Sequence, residues 1–263
     1  MLEQKPRPAP ALDNSGTSAG EPAGAAVRRE DYLACESWTV FILMMLVGGY
    51  FGAFTYSIRG GVFCNAQTGN FVLLAMALGK GEWGQALYLL IPISAYCLGA
   101  FISELLPKPI RRIHMFRWET WLVLVEILAV IFLGFLPESA PVQITQVLIN
   151  FICSMQYNTF RQAEGIPMAT TFCTNHIRQV GIAVSKMLQK PGERRAHARR
   201  LGIHLGMLAS FVAGGLVSTF LAGLFLGRAI WFSLLPLGIV LAYLLYADLI
   251  KEKGQLERKP HGH

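Results

Sequence analysis

The chain has 263 residues, 53% of them hydrophobic and only 15% charged, with a formal net charge of +7. A soluble domain carries about a quarter of its residues as charges, and here the charges gather at the two ends and in short connections between long apolar runs. This excludes a soluble globular domain and the alternating pattern of a membrane β-barrel, and it makes the positive charge a topology signal rather than a nucleic-acid footprint.

Residues 1–37 are rich in Pro, Ala, Gly and Ser and lack the apolar core of a signal peptide. They are expected to form a disordered cytoplasmic N-terminal tail. Eight apolar segments follow, at about 38–58, 66–79, 85–106, 119–136, 142–160, 167–188, 200–226 and 229–249. The second is short for a span, and the sixth is unusually polar, holding Thr170, Thr171, Thr174, Asn175, His176, Arg178 and Gln179. Residues 251–263 are expected to be a solvated cytoplasmic tail.

Loop charges decide the crossing number. The connection 107–118 carries Lys108, Arg111, Arg112 and Arg117, and 189–199 carries Lys190, Arg194, Arg195 and Arg199. Both belong inside by the positive-inside rule, while 137–141, without Lys or Arg, belongs outside. Eight full crossings would put 107–118 on the wrong side. The charges agree if 38–80 and 142–188 each hold one full helix plus a broken or re-entrant segment. The expected fold is therefore all-α: a polytopic membrane helical bundle of about six spans with two broken segments. Its two inverted repeats are 38–141 and 142–250, with both termini cytoplasmic.

Weak internal similarity agrees. Residues 51–62 align with 155–166, matching Thr55 with Thr159 and Gly61 with Gly165. Then Thr68-Gly69-Asn70 meets Thr174-Asn175-His176, and 95–103 aligns with 210–218, matching Gly99 with Gly214 and Ser103 with Ser218.

With RGGVFCNAQTGNFVLLA (59–75) and QYNTFRQAEGIPMATTFCTN (156–175) in view, the chain resembles the YoaK-like family of bacterial inner-membrane proteins, defined as a domain of unknown function. The resemblance covers about 38–250. It rests on a GGxF…TGN motif in the first half and a Q-N-x-x-R…TT…TG motif in the second. It implies a multi-pass protein of the bacterial inner membrane and no established activity. Cys173-Thr174-Asn175 departs from the second motif, where a Thr-Gly pair is expected.

The two polar stretches carry the chemistry. Gly60-Gly61 after Arg59 favours a chain break, because glycine tolerates positive φ and is poor in a helix. Thr68 is expected to cap a new helix at Gly69, with an N-terminus suited to an anion. Asn65, Gln67, Thr68 and Asn70 either bind a polar solute or satisfy the backbone that the break releases. Asn158, Gln162, Thr170, Thr171, Thr174 and Asn175 play the matching part, with Pro167 marking the helix restart. Arg59 and Arg161 either snorkel to lipid phosphate or face an anionic substrate.

Gly48 and Gly52 form a small-xxx-small face for close helix packing or line a broken helix. Glu126, mid-way along an apolar run, is neutral and hydrogen-bonded, or paired with Arg59, Arg161 or Arg178, or a proton-coupling group. His204 reads as structural. Five cysteines without paired spacing (Cys35, Cys64, Cys97, Cys153 and Cys173) imply neither a disulfide framework nor a metal site. No enzyme motif and no cofactor site is visible.

The expected function is a secondary transporter or channel for a small polar or anionic solute, embedded in membrane lipids. The substrate-binding candidates are Arg59, Asn65, Gln67, Thr68, Asn70, Asn158, Arg161, Thr171, Thr174 and Asn175, with Glu126 for proton coupling. The alternative is a membrane-embedded enzyme or a binding or scaffold protein without transport. The pairs Gly202/Gly206 and Gly223/Gly227 permit a homo-oligomer.

Overall fold

The computed structural model describes residues 32–261. The tail expected over 1–31 lies outside them. Helix α1 (Trp38–Ile58) starts at Ser37, whose side chain accepts from the Val40 N–H, and stops at Gly60 and Gly61. Their φ angles of 84° and 70° lie in the left-handed region open to glycine. Helices α2 (Gln67–Gly79), α3 (Trp83–Leu105), α4 (Pro107–Arg111), α5 (Trp118–Phe135) and α6 (Val142–Thr159) follow. A two-strand hairpin, β1 (Gln162–Ala163) with β2 (Ile166–Pro167), then leads to α7 (Thr174–Gln189), α8 (Arg194–Phe225) and α9 (Leu234–Tyr246). Eight of these helices follow the eight apolar segments; α4 is a short turn in a basic connection.

Among the described residues, four helical stretches are long and apolar enough to cross a membrane: Trp38–Ile58, Trp83–Arg111, Trp118–Phe135 and Pro191–Lys251. By length and composition the chain fits a multi-pass membrane protein. Helix α6 is not among the four, because Gln143, Gln146, Asn150, Gln156 and Asn158 dilute it. Four polar groups of α6 point inward: Gln146, Asn150, Ser154 and Gln156 are fully buried. The outer surface is the reverse, with Leu87, Leu98 and Phe101 of α3 and Leu216, Phe220 and Leu224 of α8 exposed. In water such a surface drives association; against lipid tails it is matched to its solvent, and the buried polar stripe needs internal partners.

Helix α1 packs along α8, and α3 along α6; α2 folds onto α3, α7 onto α8, and α5 onto α9. Glycines set the closest approaches. A Cβ at Gly214 would overlap the Leu46 carbonyl of α1, and one at Gly99 would overlap the Phe151 carbonyl of α6. Gly202, Gly206 and Gly223 face open space. Gly227 does not: it lies under the Arg59 guanidinium, so Gly223/Gly227 offers no continuous small-residue face.

Residues 33–36 depart from the disordered tail expected of them, and the C-terminal segment, largely exposed, folds back onto them. Leu33, Ala34, Cys35 and Glu36 are buried, and burial pushes the Cys35 thiol up from its ordinary value. The Ala34 N–H donates to Glu252 Oε1 at 2.8 Å, and the His261 N–H donates to Glu36 Oε1 at 2.8 Å. The two flanks therefore meet at one end of the bundle. Arg117 ties that end together: its Nε lies 3.4 Å from Asp248 Oδ1 and 3.5 Å from Glu252 Oε2, while Thr120 donates to Asp248 Oδ2 at 2.7 Å.

Candidate functional site

The first break, 59–66, turns back along α1. Asn65 Nδ2 donates to the carbonyl of Gly48, mid-way along that helix, at 2.9 Å. Helix α2 then begins at Gln67 with Ala66 as its cap residue and no side-chain cap. The expected capping role of Thr68 is not found: Thr68 is an exposed helical residue. Asn70 closes the break. Its Nδ2 donates to the Phe63 carbonyl at 2.6 Å, and its Oδ1 accepts from the Phe63 N–H at 3.0 Å. Gly69 is inside the helix, and its missing side chain leaves room for the Phe63 ring, 3.1 Å from where a Cβ would stand.

The second break, 160–173, is longer because it contains the hairpin, whose turn uses Glu164 (φ 41°) and Gly165 (φ 81°). Pro167 sits in β2, so it does not restart the helix; Thr174 does. His176 closes this break as Asn70 closes the first: its Nε2 lies 2.8 Å from the Ala169 carbonyl, seven residues back. That contact makes Nε2 the protonated nitrogen, since a carbonyl only accepts. His176 Nδ1 is then 3.0 Å from His204 Nδ1 on α8, a pairing across 28 residues that the sequence did not suggest. Asn175 takes an ordinary helical position, so no glycine is required there.

The two breaks meet on α1. A Cβ at Gly48 would lie 2.5 Å from the Thr170 carbonyl oxygen and 3.1 Å from the Thr171 Cα. The same Gly48 carbonyl holds Asn65. The small-residue face of Gly48 and Gly52 therefore receives two irregular segments rather than another helix. Helix α6 faces the same point. Gln67 Nε2 donates to Asn150 Oδ1 at 2.7 Å, and the Sγ atoms of Cys64 and Cys153 are 3.7 Å apart. Gln146 Nε2 donates to the Arg59 carbonyl at 2.6 Å, and Gln156 Nε2 to the Met44 carbonyl at 3.1 Å. Thr171 is fully buried here, and its Oγ1 has no hydrogen-bond partner among the described residues. The sequence reading does not single out these α6 amides as site residues, although their spacing at 146 and 150, one helical turn apart, puts them on one face.

Other candidates lie elsewhere. Arg59 is 3.2 Å from Glu138, whose Oε1 also accepts from the Gly227 N–H at 2.7 Å. It fastens three connections at one end of the bundle. Arg161 is 2.9 Å from Glu104 and bonds the side chain of Asn158, which donates to Ser103 at 2.8 Å. Asn158, Arg161 and Asn175 nevertheless line one open cavity of about 350 Å³ beside the second break, with Tyr157 and Phe172 as its aromatic wall. Thr174 and Arg178 are exposed. Glu126 is fully buried, and neither of its oxygens has a hydrogen-bond partner among the described residues. None of the three arginines weighed as its partner is paired with it: Arg59 takes Glu138, Arg161 takes Glu104, and Arg178 donates to Asn175.

Residues 40–243 match the family model described as "Protein of unknown function (DUF1275)". That agrees with the uncharacterised domain family the motifs suggested and does not extend to the narrower YoaK-like name. No curated protein and no solved structure matched the chain.

Proposed function

The chain belongs to the DUF1275 family, and we propose that it is a secondary transporter or channel for a small polar or anionic solute in the bacterial inner membrane. The observation that carries the reading is the meeting of both breaks at Gly48: Asn65 bonds its carbonyl and Thr170–Thr171 press on its Cα. Irregular backbone at membrane depth persists where it is buried in protein or lines a solute path. Two such segments at one point give a transporter its central site.

In this reading the chain makes six crossings, α1, α3, α5, α6, α8 and α9. Helices α2 and α7 are re-entrant, since α2, with 13 residues, is about 20 Å long and the hydrocarbon core is about 30 Å thick. The halves form inverted repeats. Supporting this, the pairs α1–α8 and α6–α3 exchange under the repeat, as do α2–α3 and α7–α8. Gly99 and Gly214 make equivalent contacts, and Asn70 and His176 close equivalent loops. Both flanks meeting at one end supports termini on the same, cytoplasmic, side. The N–H groups starting α2 and α7 suit an anion, and Asn158, Arg161 and Asn175 form a polar entrance. Thr171 and Asn65 contact the solute, and Glu126 carries the coupling proton. Gly202 and Gly206, which face open space, are the surface for a second copy of the chain.

The intramolecular bonds of Asn65, Gln67 and Asn70 favour a second reading, a scaffold whose polar groups hold only their own backbone. Proteoliposomes decide between them. A panel of small anions and zwitterions is expected to contain a solute whose flux saturates and responds to pH, with the pH response lost in Glu126→Gln. Absence of protein-dependent flux across the panel would favour the scaffold.

A further inference from the structure

We propose that the end of the bundle where α3, α5, α6 and the C-terminal segment meet is a binding site for a phosphate group, carried either by an anionic lipid headgroup or by free phosphate. This site lies apart from the meeting of the breaks, shares only Arg161 with the polar entrance, and does not depend on the transport reading.

The fold gathers like charges here from four distant segments. A hollow of about 120 Å³ is lined by Lys108 and Arg111 of α4, Arg117 at the start of α5, Arg161 after α6, and Arg258 and Lys259 of the C-terminal segment. A single water needs about a tenth of that space, so there is room for a phosphate group. The C-terminal cations are held in place: Arg117 Nη1 donates to the Arg258 carbonyl at 2.8 Å, and His261 is fixed on Glu36. Bringing like charges together costs free energy unless something of opposite sign is supplied.

The protein supplies part of it. Asp248 and Glu252 neutralise the buried Arg117, and Glu104 pairs with Arg161. Glu119, at the wall of the hollow, interacts with Arg117 and Arg111. Among the described residues, Lys108 and Lys259 have no carboxylate within salt-bridge distance, and both are exposed. The partly exposed Arg161 guanidinium and the two unpaired ammonium groups of Lys108 and Lys259 are the donor set that a phosphate takes, with the buried Arg117, already bonded to the Arg258 and Gln255 carbonyls, behind them. The adjoining Ile113 and Met115 are exposed apolar side chains in the same connection, and Trp118 lines the hollow. That mixture suits a membrane interface, where a lipid phosphate is at hand.

The test uses the full-length protein. In one arm it is reconstituted in nanodiscs of phosphatidylcholine with phosphatidylglycerol, and the retained lipid is counted by native mass spectrometry. In the other, detergent-solubilised protein is titrated with inorganic phosphate against chloride at equal ionic strength, and the melting temperature is read. The variant is Lys108→Gln/Lys259→Gln, which changes exposed side chains outside the buried ion cluster. The control is Arg194→Gln/Arg195→Gln, two exposed cations in another connection. The proposal expects phosphatidylglycerol retention, a phosphate-dependent melting shift, or both. It also expects apparent affinity to fall about tenfold or more in the lysine variant and to be unchanged in the control. A response in the lipid arm alone identifies the headgroup, and one in the phosphate arm alone identifies the free ion. No response in either arm, or an equal loss in variant and control, overturns the proposal.

Discussion

The contact of the first break with α1 can be tested by a double-mutant cycle at Gly52 and Asn65. A Cβ added at Gly52 would stand 2.8 Å from Asn65 Nδ2 and 3.2 Å from its Oδ1. The amide cannot stay where it is, and moving it breaks its 2.9 Å bond to the Gly48 carbonyl. Gly52→Ala should therefore cost about 1–3 kcal/mol for overpacking and about 1 kcal/mol for the lost bond, offset by about 1 kcal/mol of helix propensity. Asn65→Ala loses the same bond, about 1 kcal/mol, and leaves a small void. In the double variant the shortened side chain at position 65 has no amide to clash, so only the propensity gain and the lost bond remain. The double variant should be less destabilised than the sum of the singles by about 2–4 kcal/mol, the overpacking term plus the bond counted twice in the singles. Reversible unfolding in mixed micelles measures this. Additivity within about 0.5 kcal/mol would mean that Asn65 does not rest on α1 at Gly52, and the meeting of the breaks would lose its best-defined contact.

Asp248→Ala leaves Arg117 buried with one carboxylate fewer and should destabilise by about 3 kcal/mol, read in the same unfolding assay. Gly99→Ala and Gly214→Ala push a methyl group into backbone carbonyls and should each lower stability by roughly 2 kcal/mol or more. Gly181→Ala on α7, with nothing within 4 Å, should be neutral or stabilising by up to about 1 kcal/mol. In a variant retaining only Cys64 and Cys153, a mild oxidant should form an intramolecular disulfide, since the 3.7 Å Sγ separation needs only a small shift; an absence of cross-linking would contradict the approach of the first break to α6.

The spans were legible because hydropathy is a local property. Residues 38–58 were read as one apolar run and form α1. The first break was legible for the same reason: the pair Gly60-Gly61 takes two successive left-handed residues cheaply. The second restart was misplaced because Pro167 suits both a helix start and an extended strand, and the hairpin that decided between them depends on pairing across Glu164-Gly165. The partners of the arginines leave no local trace in the sequence. Glu138 lies 79 residues from Arg59 and Glu104 57 from Arg161, and nothing local in the sequence joins them. His204 was read as structural, and its contact with His176 is of that long-range kind. The match of Asn70 with His176 in the two alignments was a usable signal: both side chains close a loop onto a carbonyl seven residues back.

The central claim is that the meeting of the two breaks is a solute path, and water access tests it without knowing the solute. Asn65→Cys and Thr171→Cys would be made singly in a protein with its native cysteines replaced, and Ile149→Cys, at a fully buried apolar position, would serve as the dry reference. Each is exposed in membranes to a charged, impermeant thiol reagent from either side. The account predicts that positions 65 and 171 are modified, each faster from one side, while position 149 is not. Positions 65 and 171 as inert as 149 would contradict it and leave the breaks as closed structural elements.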